Sequence, residues 1–177
     1  DLRQEIVLRR LAGQTRTHIA AMLAGQGLLP QGSFAGLALQ EIMAAADALA
    51  NALHVHVAKP FPPQEVQLPL KDILLCGWLD ELYSGGRVVW SGGRASARLF
   101  VNAWLGHLVL AALAPGHIPV KSCICAWDSR VGVQLFQFDE MDAIAAQEQL
   151  TLYVQGFLQG QQEALPFFPK SALAWAE

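Results

Sequence analysis

Charge is what this sequence has least of. Only 15% of its 177 residues are Asp, Glu, Lys or Arg, against roughly 25% in an average soluble domain. Together with 53% hydrophobic residues, this excludes disorder, which requires few apolar side chains and much charge. Cysteine is equally scarce: three residues exclude a disulfide scaffold. Long clean apolar runs are missing too. A spanning helix needs about 20 such residues. Leu99 to Ala114 is interrupted by Asn102 and His107, and Ile42 to Ala58 carries Asp47, Asn51, His54 and His56. Both read as core elements, so no membrane partner is expected. No signal-peptide pattern opens the chain, and the expected location is cytoplasmic. Twelve basic residues against 15 acidic ones, net −3, argue against a freely diffusing basic nucleic-acid binder. The start at Asp1 inside a helical pattern, without Met, leads us to expect a piece of a longer protein. Its sparse charge then reflects surface covered by neighbours.

One further absence is local. No Asp or Glu occurs between Glu81 and Asp128, a stretch that holds Arg87, Arg94, Arg98 and Lys121. Residues 131–169 show the reverse, with Asp139, Glu140, Asp142, Glu148 and Glu163 and no Lys or Arg. One positive and one negative side are expected.

What is present reads as one compact α/β unit over residues 1–177. Two short helices break at Gly13, with Thr15 or Thr17 capping the second. A turn-rich loop leads to Ser33, the expected N-cap of an Ala-rich helix to about Leu53. His54-Val55-His56-Val57 alternates as a half-buried strand does. Leu68 to Leu82 reads as a strand, Ser84-Gly85-Gly86 as a hairpin turn and Arg87 to Trp90 as the return strand. Ala95 to Leu113 is apolar on nearly every face and is expected to be a buried helix. A second hairpin joins Ser122–Trp127 to Val131–Phe138 around Asp128-Ser129-Arg130-Gly132. Asp139 is expected to cap a helix from Glu140 to Glu163, and Lys170 to Ala176 to form a last helical turn.

Most motif-like features have ordinary explanations. Cys123-x-Cys125 lacks the second pair a structural zinc site needs, and Cys76 stands alone. His54-x-His56 has no designated third ligand. Gly32-Ser33-Phe34-Ala35-Gly36 does not match the G-x-S-x-G elbow, and helix capping explains Ser33 better. Arg87, Arg94 and Arg98 are the candidate DNA-binding residues. Arg94 and Arg98, four apart around the expected helix start, share a face where a helix N-terminus already favours phosphate.

Asp80 invites a comparison with nucleases. A strand ending in Asp, a turn, a return strand and a helix is the order around a restriction-endonuclease-like metal site. That site needs a second acid on the return strand and a Lys two residues later, to hold a divalent metal and orient water. Trp90 and Gly92 stand at those positions. No shift of register finds an acid.

Five segments carry a wider likeness: Gly27-Leu28-Leu29-Pro30-Gln31-Gly32-Ser33-Phe34-Ala35, Cys76-Gly77-Trp78-Leu79, Gly86-Arg87-Val88-Val89-Trp90, Trp104-Leu105-Gly106-His107-Leu108-Val109 and Glu148-Gln149-Leu150-Thr151-Leu152-Tyr153. In these segments, spread over nearly the whole chain, the sequence resembles the C-terminal domain family of RecC, the gamma subunit of exodeoxyribonuclease V. The resemblance implies a restriction-endonuclease-like (PD-(D/E)XK-type) α+β fold, a mixed sheet flanked by helices, with Asp80, Trp90 and Gly92 marking a degenerate active site. It implies a non-catalytic structural and DNA-guiding role in a heterotrimer with RecB-like and RecD-like subunits, which processes double-strand ends for recombinational repair. ATP and Mg2+ would act in those partners, with no cofactor in this domain. Two alternatives stand beside it: a stand-alone metal-dependent nuclease using Asp72, Asp80 and Asp128, and a pure subunit-interaction domain.

Overall fold

The computed structural model describes residues 2–28 and 34–164. The expected cap at Ser33, the Gly32-Ser33 motif and the helical turn at 170–176 lie outside the described residues. The chain order is α1 (Leu2–Leu11), α2 (Arg16–Gly25), α3 (Phe34–His54), β1 (Gln64–Leu70), β2 (Ile73–Leu79), β3 (Leu82–Tyr83), β4 (Gly86–Ser91), α4 (Ala97–Leu113), β5 (Ser122–Asp128), β6 (Gly132–Phe138) and α5 (Ala143–Gly160). These elements group into two compact units, neither continuous in sequence. Unit 1 comprises residues 1–56, 90–95 and 125–135; unit 2 comprises 57–89, 96–124 and 136–177. Among the described residues no helix is long and apolar enough to cross a membrane.

Unit 1 is built on its three helices. Thr15 caps α2, its hydroxyl oxygen accepting from the His18 N–H, as expected for a Thr at this position. Ile6 and Val7 of α1, Ile19 and Leu23 of α2, and Ala46, Leu49 and Leu53 of α3 are buried. Their three-to-four-residue spacing gives each helix one apolar stripe. In the midst of α3 sits Asp47, 7% exposed. Both its oxygens are engaged: Arg10 Nε donates to one and Arg16 to the other. A buried carboxylate without partners would be costly, so these two guanidiniums fix α1 and the start of α2 against α3.

The strand expected at 54–57 does not form. α3 continues through His54, and the His56 N–H bonds back to the Leu53 carbonyl at 2.8 Å. The alternation of His and Val there is the end of a helix running into a turn.

In unit 2 the single strand expected over 68–82 is instead a hairpin followed by a short strand. β1 and β2 pair antiparallel from Gln64↔Leu79 to Leu70↔Ile73, turning at Lys71-Asp72 with Lys71 at φ +55°. Val66, Leu68 and Leu70 are buried and Glu65, Gln67 and Pro69 exposed, the period of two of a strand covered on one face. This hairpin shares its apolar cluster with Leu108, Leu110 and Ala111 of α4 and Ala146 and Leu150 of α5. Asp142, not Asp139, caps α5, its carboxylate accepting from the Ile144 and Ala145 N–H groups. The cap sits three residues later than expected, and the Asp139 carbonyl accepts instead from the ring of His107.

The second sheet is ordered β3-β4-β5-β6. β3 and β4 form the expected hairpin, with Leu82 opposite Arg87 and Tyr83 opposite Gly86. The bonds Arg87 N–H to Lys121 O and Trp127 N–H to Gly93 O keep one sequence offset, so β4 and β5 run parallel, with α4 as the crossover. β5 and β6 are joined by a tight turn and are antiparallel. The sheet is therefore mixed, and the class is α+β. Val89, Ala103 and Ile124 form a second apolar cluster with Phe100, Phe136 and Phe138, which seats α4 on the sheet within unit 2.

The Asp47 knot yields a stability test. Asp47→Ala should lower the stability of the chain by about 2 kcal/mol, less than a fully buried ion pair because Arg16 is largely exposed. The shift of the urea unfolding midpoint measures it.

Candidate nucleic-acid interface

The three candidate arginines have three different environments. Arg87 is buried at 4% exposure. Its Nη2 lies 2.8 Å from Glu81 Oε2, and its other nitrogens face the carbonyls of Asp80 (3.3 Å) and Ala103 (3.5 Å). A side chain so enclosed cannot present its charge to a phosphate in this conformation. Arg94 is not on a helix with Arg98, contrary to the expectation from their spacing. Ser96 caps α4, its hydroxyl accepting from the Leu99 N–H, so Arg94 lies in the preceding loop and Arg98 in the first turn. Both are exposed.

Arg87 and its surroundings explain several residues of the likeness. Glu81 adopts φ +61°, a left-handed conformation that costs a non-glycine residue roughly 1 kcal/mol, and from there its carboxylate meets Arg87. A Cβ on Gly106 would lie 2.6 Å from Arg87 Cζ, so α4 presents bare backbone where the guanidinium passes. Gly86, at φ +115°, would drive a Cβ into the Lys121 carbonyl. Burial pushes Glu81 above its usual carboxylate range although Arg87 opposes the shift. Burial lowers Arg87 as well, against the pull of Glu81. Desolvation outweighs attraction for both partners, so the pair fixes geometry more than it stabilises.

A cleft of about 500 Å³ in unit 2 includes Leu75, Trp78, Arg87, Gly106, Tyr153 and Phe157 in its lining. Each of the four described segments of the likeness other than 27–35 contributes to it. Trp78 is 70% and Phe157 65% exposed. Beside this cleft, Trp104 Nε1 donates to Tyr153 Oη at 3.3 Å and stacks on His107 with ring centroids 5.7 Å apart.

His107 is a site that sequence reasoning missed. It is fully buried. Its Nε2 lies 3.0 Å from the Asp139 carbonyl and its Nδ1 3.0 Å from Ser122 Oγ. A carbonyl only accepts, so the proton sits on Nε2 and the Ser122 hydroxyl donates to Nδ1. Ser and His in contact suggest a nucleophile, but Ser122 is 2% exposed and the third member is a backbone carbonyl. This is a structural chain that ties α4 to the start of β5 and the end of β6. Burial lowers the His107 pKa below 6.5.

The three positions compared with a nuclease site differ in exposure. The side chain of Asp80 is exposed, Trp90 is half-buried in β4, and Gly92 is buried. The Gly92 carbonyl accepts from the Arg3 guanidinium. Among the described residues no three His, Cys, Asp or Glu side chains gather as a metal site, so Asp72, Asp80 and Asp128 do not converge. His54 is exposed and His56 half-buried. Cys123 and Cys125 are buried in β5, where burial raises the Cys123 thiol. The residues present do not fit a nuclease magnesium site.

Basic side chains converge elsewhere. In unit 1 a cleft of about 650 Å³ has Arg3, Arg94 and Arg130 among its lining residues, with Trp127, Asp128 and Gln134. They come from α1, the loop after β4, the β5–β6 turn and its flanking strands. Asp128 Oδ1 accepts from the Arg130 N–H at 2.7 Å and the Val131 N–H at 3.3 Å, shaping that turn. Its other oxygen lies 3.4 Å from Arg94 Nε. The backbone donors, with the two arginines, hold Asp128 below its ordinary value. In sequence Arg130 reads only as a turn residue and Arg3 only as part of a helix. Their convergence on Arg94 depends on pairings far apart along the chain.

A family model described as the RecC C-terminal domain matches residues 1–177. The chain belongs to the RecC C-terminal domain family. Membership implies a role in the RecBCD helicase–nuclease, exodeoxyribonuclease V, in DNA repair and recombination, with RecB, RecD and DNA as the associates of that complex. No curated protein matches the chain in sequence.

Two properties of this RecC-family domain can be measured directly. Gly106→Ala should cost about 1–3 kcal/mol, as overpacking does, and less in an Arg87→Met background, where the guanidinium is gone; urea midpoints of the four variants give the coupling. His107 stays neutral in the fold while the unfolded chain protonates near its ordinary value of 6.5. Its contribution is therefore complete above that pH and declines as pH falls below it. Unfolding midpoints between about pH 7.5 and 5.5 should fall in the parent chain and change less in His107→Asn.

Proposed function

We propose that the chain is a non-catalytic structural and DNA-guiding domain of the gamma subunit, built on a restriction-endonuclease-like core whose catalytic residues are gone. The observation that carries this reading is the identity of the residues after Asp80. Trp90 and Gly92 replace the acid and the lysine, and the Gly92 carbonyl is bound to Arg3. A mixed sheet in which a hairpin precedes the crossover helix α4 supports the fold assignment. Exposed Arg94 and Arg98 supply charge for phosphate contact. In this reading Arg87, buried on Glu81, holds the hairpin and does not touch DNA. The domain itself carries no cofactor, and ATP and Mg2+ belong to the RecB-like and RecD-like subunits. Exposed Trp78 and Phe157 beside the apolar cleft suit contact with a partner subunit.

Incubating the chain with linear DNA and Mg2+ or Mn2+ should give no cleavage above background. Metal-dependent cleavage abolished by Asp80→Ala would overturn the proposal in favour of a nuclease with a non-standard acid set. In the reconstituted heterotrimer, Arg94→Glu with Arg98→Glu should slow unwinding several-fold. Unwinding unchanged by this charge reversal would leave a pure subunit-interaction domain.

A further inference from the structure

The basic cleft of unit 1 is assembled from residues that no motif singles out together. Arg3, Arg94 and Arg130 reach it from three separate elements, and among the described residues Asp128 is the only acid in its lining. Asp128 offsets only part of this charge: its Oδ2 faces Arg94 at 3.4 Å, and its Oδ1 accepts from the backbone N–H groups of Arg130 and Val131. The exposed guanidiniums of Arg94 and Arg130 against one carboxylate leave a local positive excess in a chain of net charge −3. Arg94 retains 74% of its side-chain exposure despite its contact with Asp128, and Arg130 is exposed. Both can therefore reach an incoming anion without breaking the fold. Guanidinium groups match phosphate in a planar, two-pronged manner.

The walls add a second kind of recognition. Trp127 lines the same cleft as the arginines and is half-buried there. An aromatic face next to a cationic track is how proteins grip unpaired strands, since a base stacks on it only when freed from a duplex. Gln134, also in the lining, offers an amide to a base edge. The volume of about 650 Å³ is that of a small-ligand cleft, roughly 300–1,000 Å³, and is suited to one nucleotide unit with its flanking phosphates.

We propose that this cleft binds the phosphodiester backbone of a single DNA strand through Arg94, Arg130 and Arg3, with Trp127 stacking on one base. The assignment rests on the DNA-guiding reading above and sharpens it to a place and a strand type.

The test uses the 177-residue chain and a fluorescent dT oligonucleotide of about 12 nucleotides, within the span of single-strand site sizes, titrated by anisotropy over a series of salt concentrations. Arg94→Gln with Arg130→Gln should weaken binding about ten-fold at low salt. It should also flatten the slope of log K against log salt by about 1.4, which is about 0.7 for each of the two arginine–phosphate pairings removed from a single strand. Arg94→Lys with Arg130→Lys should keep the slope. Trp127→Leu should weaken binding about ten-fold with the slope unchanged, and Trp127→Phe should restore part of it. Thermal melting by circular dichroism confirms that each variant is folded. Unchanged affinity and slope in the double Gln variant would overturn the site. A duplex of equal length bound as tightly as the single strand would overturn the strand assignment. Neither result bears on cleavage, so the non-catalytic reading fails or survives by its own assay.

Discussion

The guanidinium of Arg87 joins the β3–β4 hairpin of unit 2 to α4. It lies buried where the β3–β4 hairpin meets α4, and its neighbours are adapted to it. Glu81 takes a left-handed backbone conformation to face it. The Asp80 and Ala103 carbonyls turn toward it, and α4 carries Gly106 because no side chain fits there. Burying a charge in this way gains little net stability, since desolvation pulls both Arg87 and Glu81 toward their neutral forms. Its effect is to define one register for the hairpin and one approach for the helix. A hydrophobic contact of the same size would tolerate sliding; a paired, hydrogen-bonded cation does not.

This arrangement explains why an arginine in an acid-free stretch is misleading. Counting charges along the sequence treats Arg87, Arg94 and Arg98 alike, yet burial separates them. The acid that neutralises Arg87 is Glu81, which sits at the very edge of that stretch and folds back across the hairpin turn. The helices α1, α2, α3 and α4 are readable because each has a clear apolar stripe or a Thr or Ser cap. Reading fails where the local signal is weak. Lys71-Asp72 makes a turn without glycine, so a hairpin passes for one long strand. His-Val alternation at 54–57 looks like a strand only because alternation is uninformative over four residues. Asp139 and Asp142 are equally good caps by composition; in the fold Asp142 takes the role, and the Asp139 carbonyl accepts from His107.

The candidate site is legible by halves. The proposed assignment of Asp80, Trp90 and Gly92 rests on sequence alone, because a missing acid needs no coordinates. The positive cleft cannot be read that way, because Arg3, Arg94 and Arg130 meet only after α1 has approached the loop following β4 and that loop has paired with the end of β5. Trp127 and Asp128 hint at it, as an aromatic and a turn-forming acid shortly before Arg130. The hint has no weight without the third dimension.

The proposed loss of catalysis and the proposed DNA contact are compatible because they make opposite electrostatic demands. A metal-dependent nuclease gathers carboxylates where the scissile phosphate sits, and relies on a divalent cation to reverse their repulsion. Remove the acids and the same neighbourhood no longer repels phosphate. On the proposed reading, Arg3, bonded to the Gly92 carbonyl, stands near the position of a nuclease lysine as a cation of the protein's own, which attracts phosphate without activating water. The absence of acids across residues 82–127 is what the proposed reading draws on for both properties, and the chain's low overall charge conceals a segment of one sign.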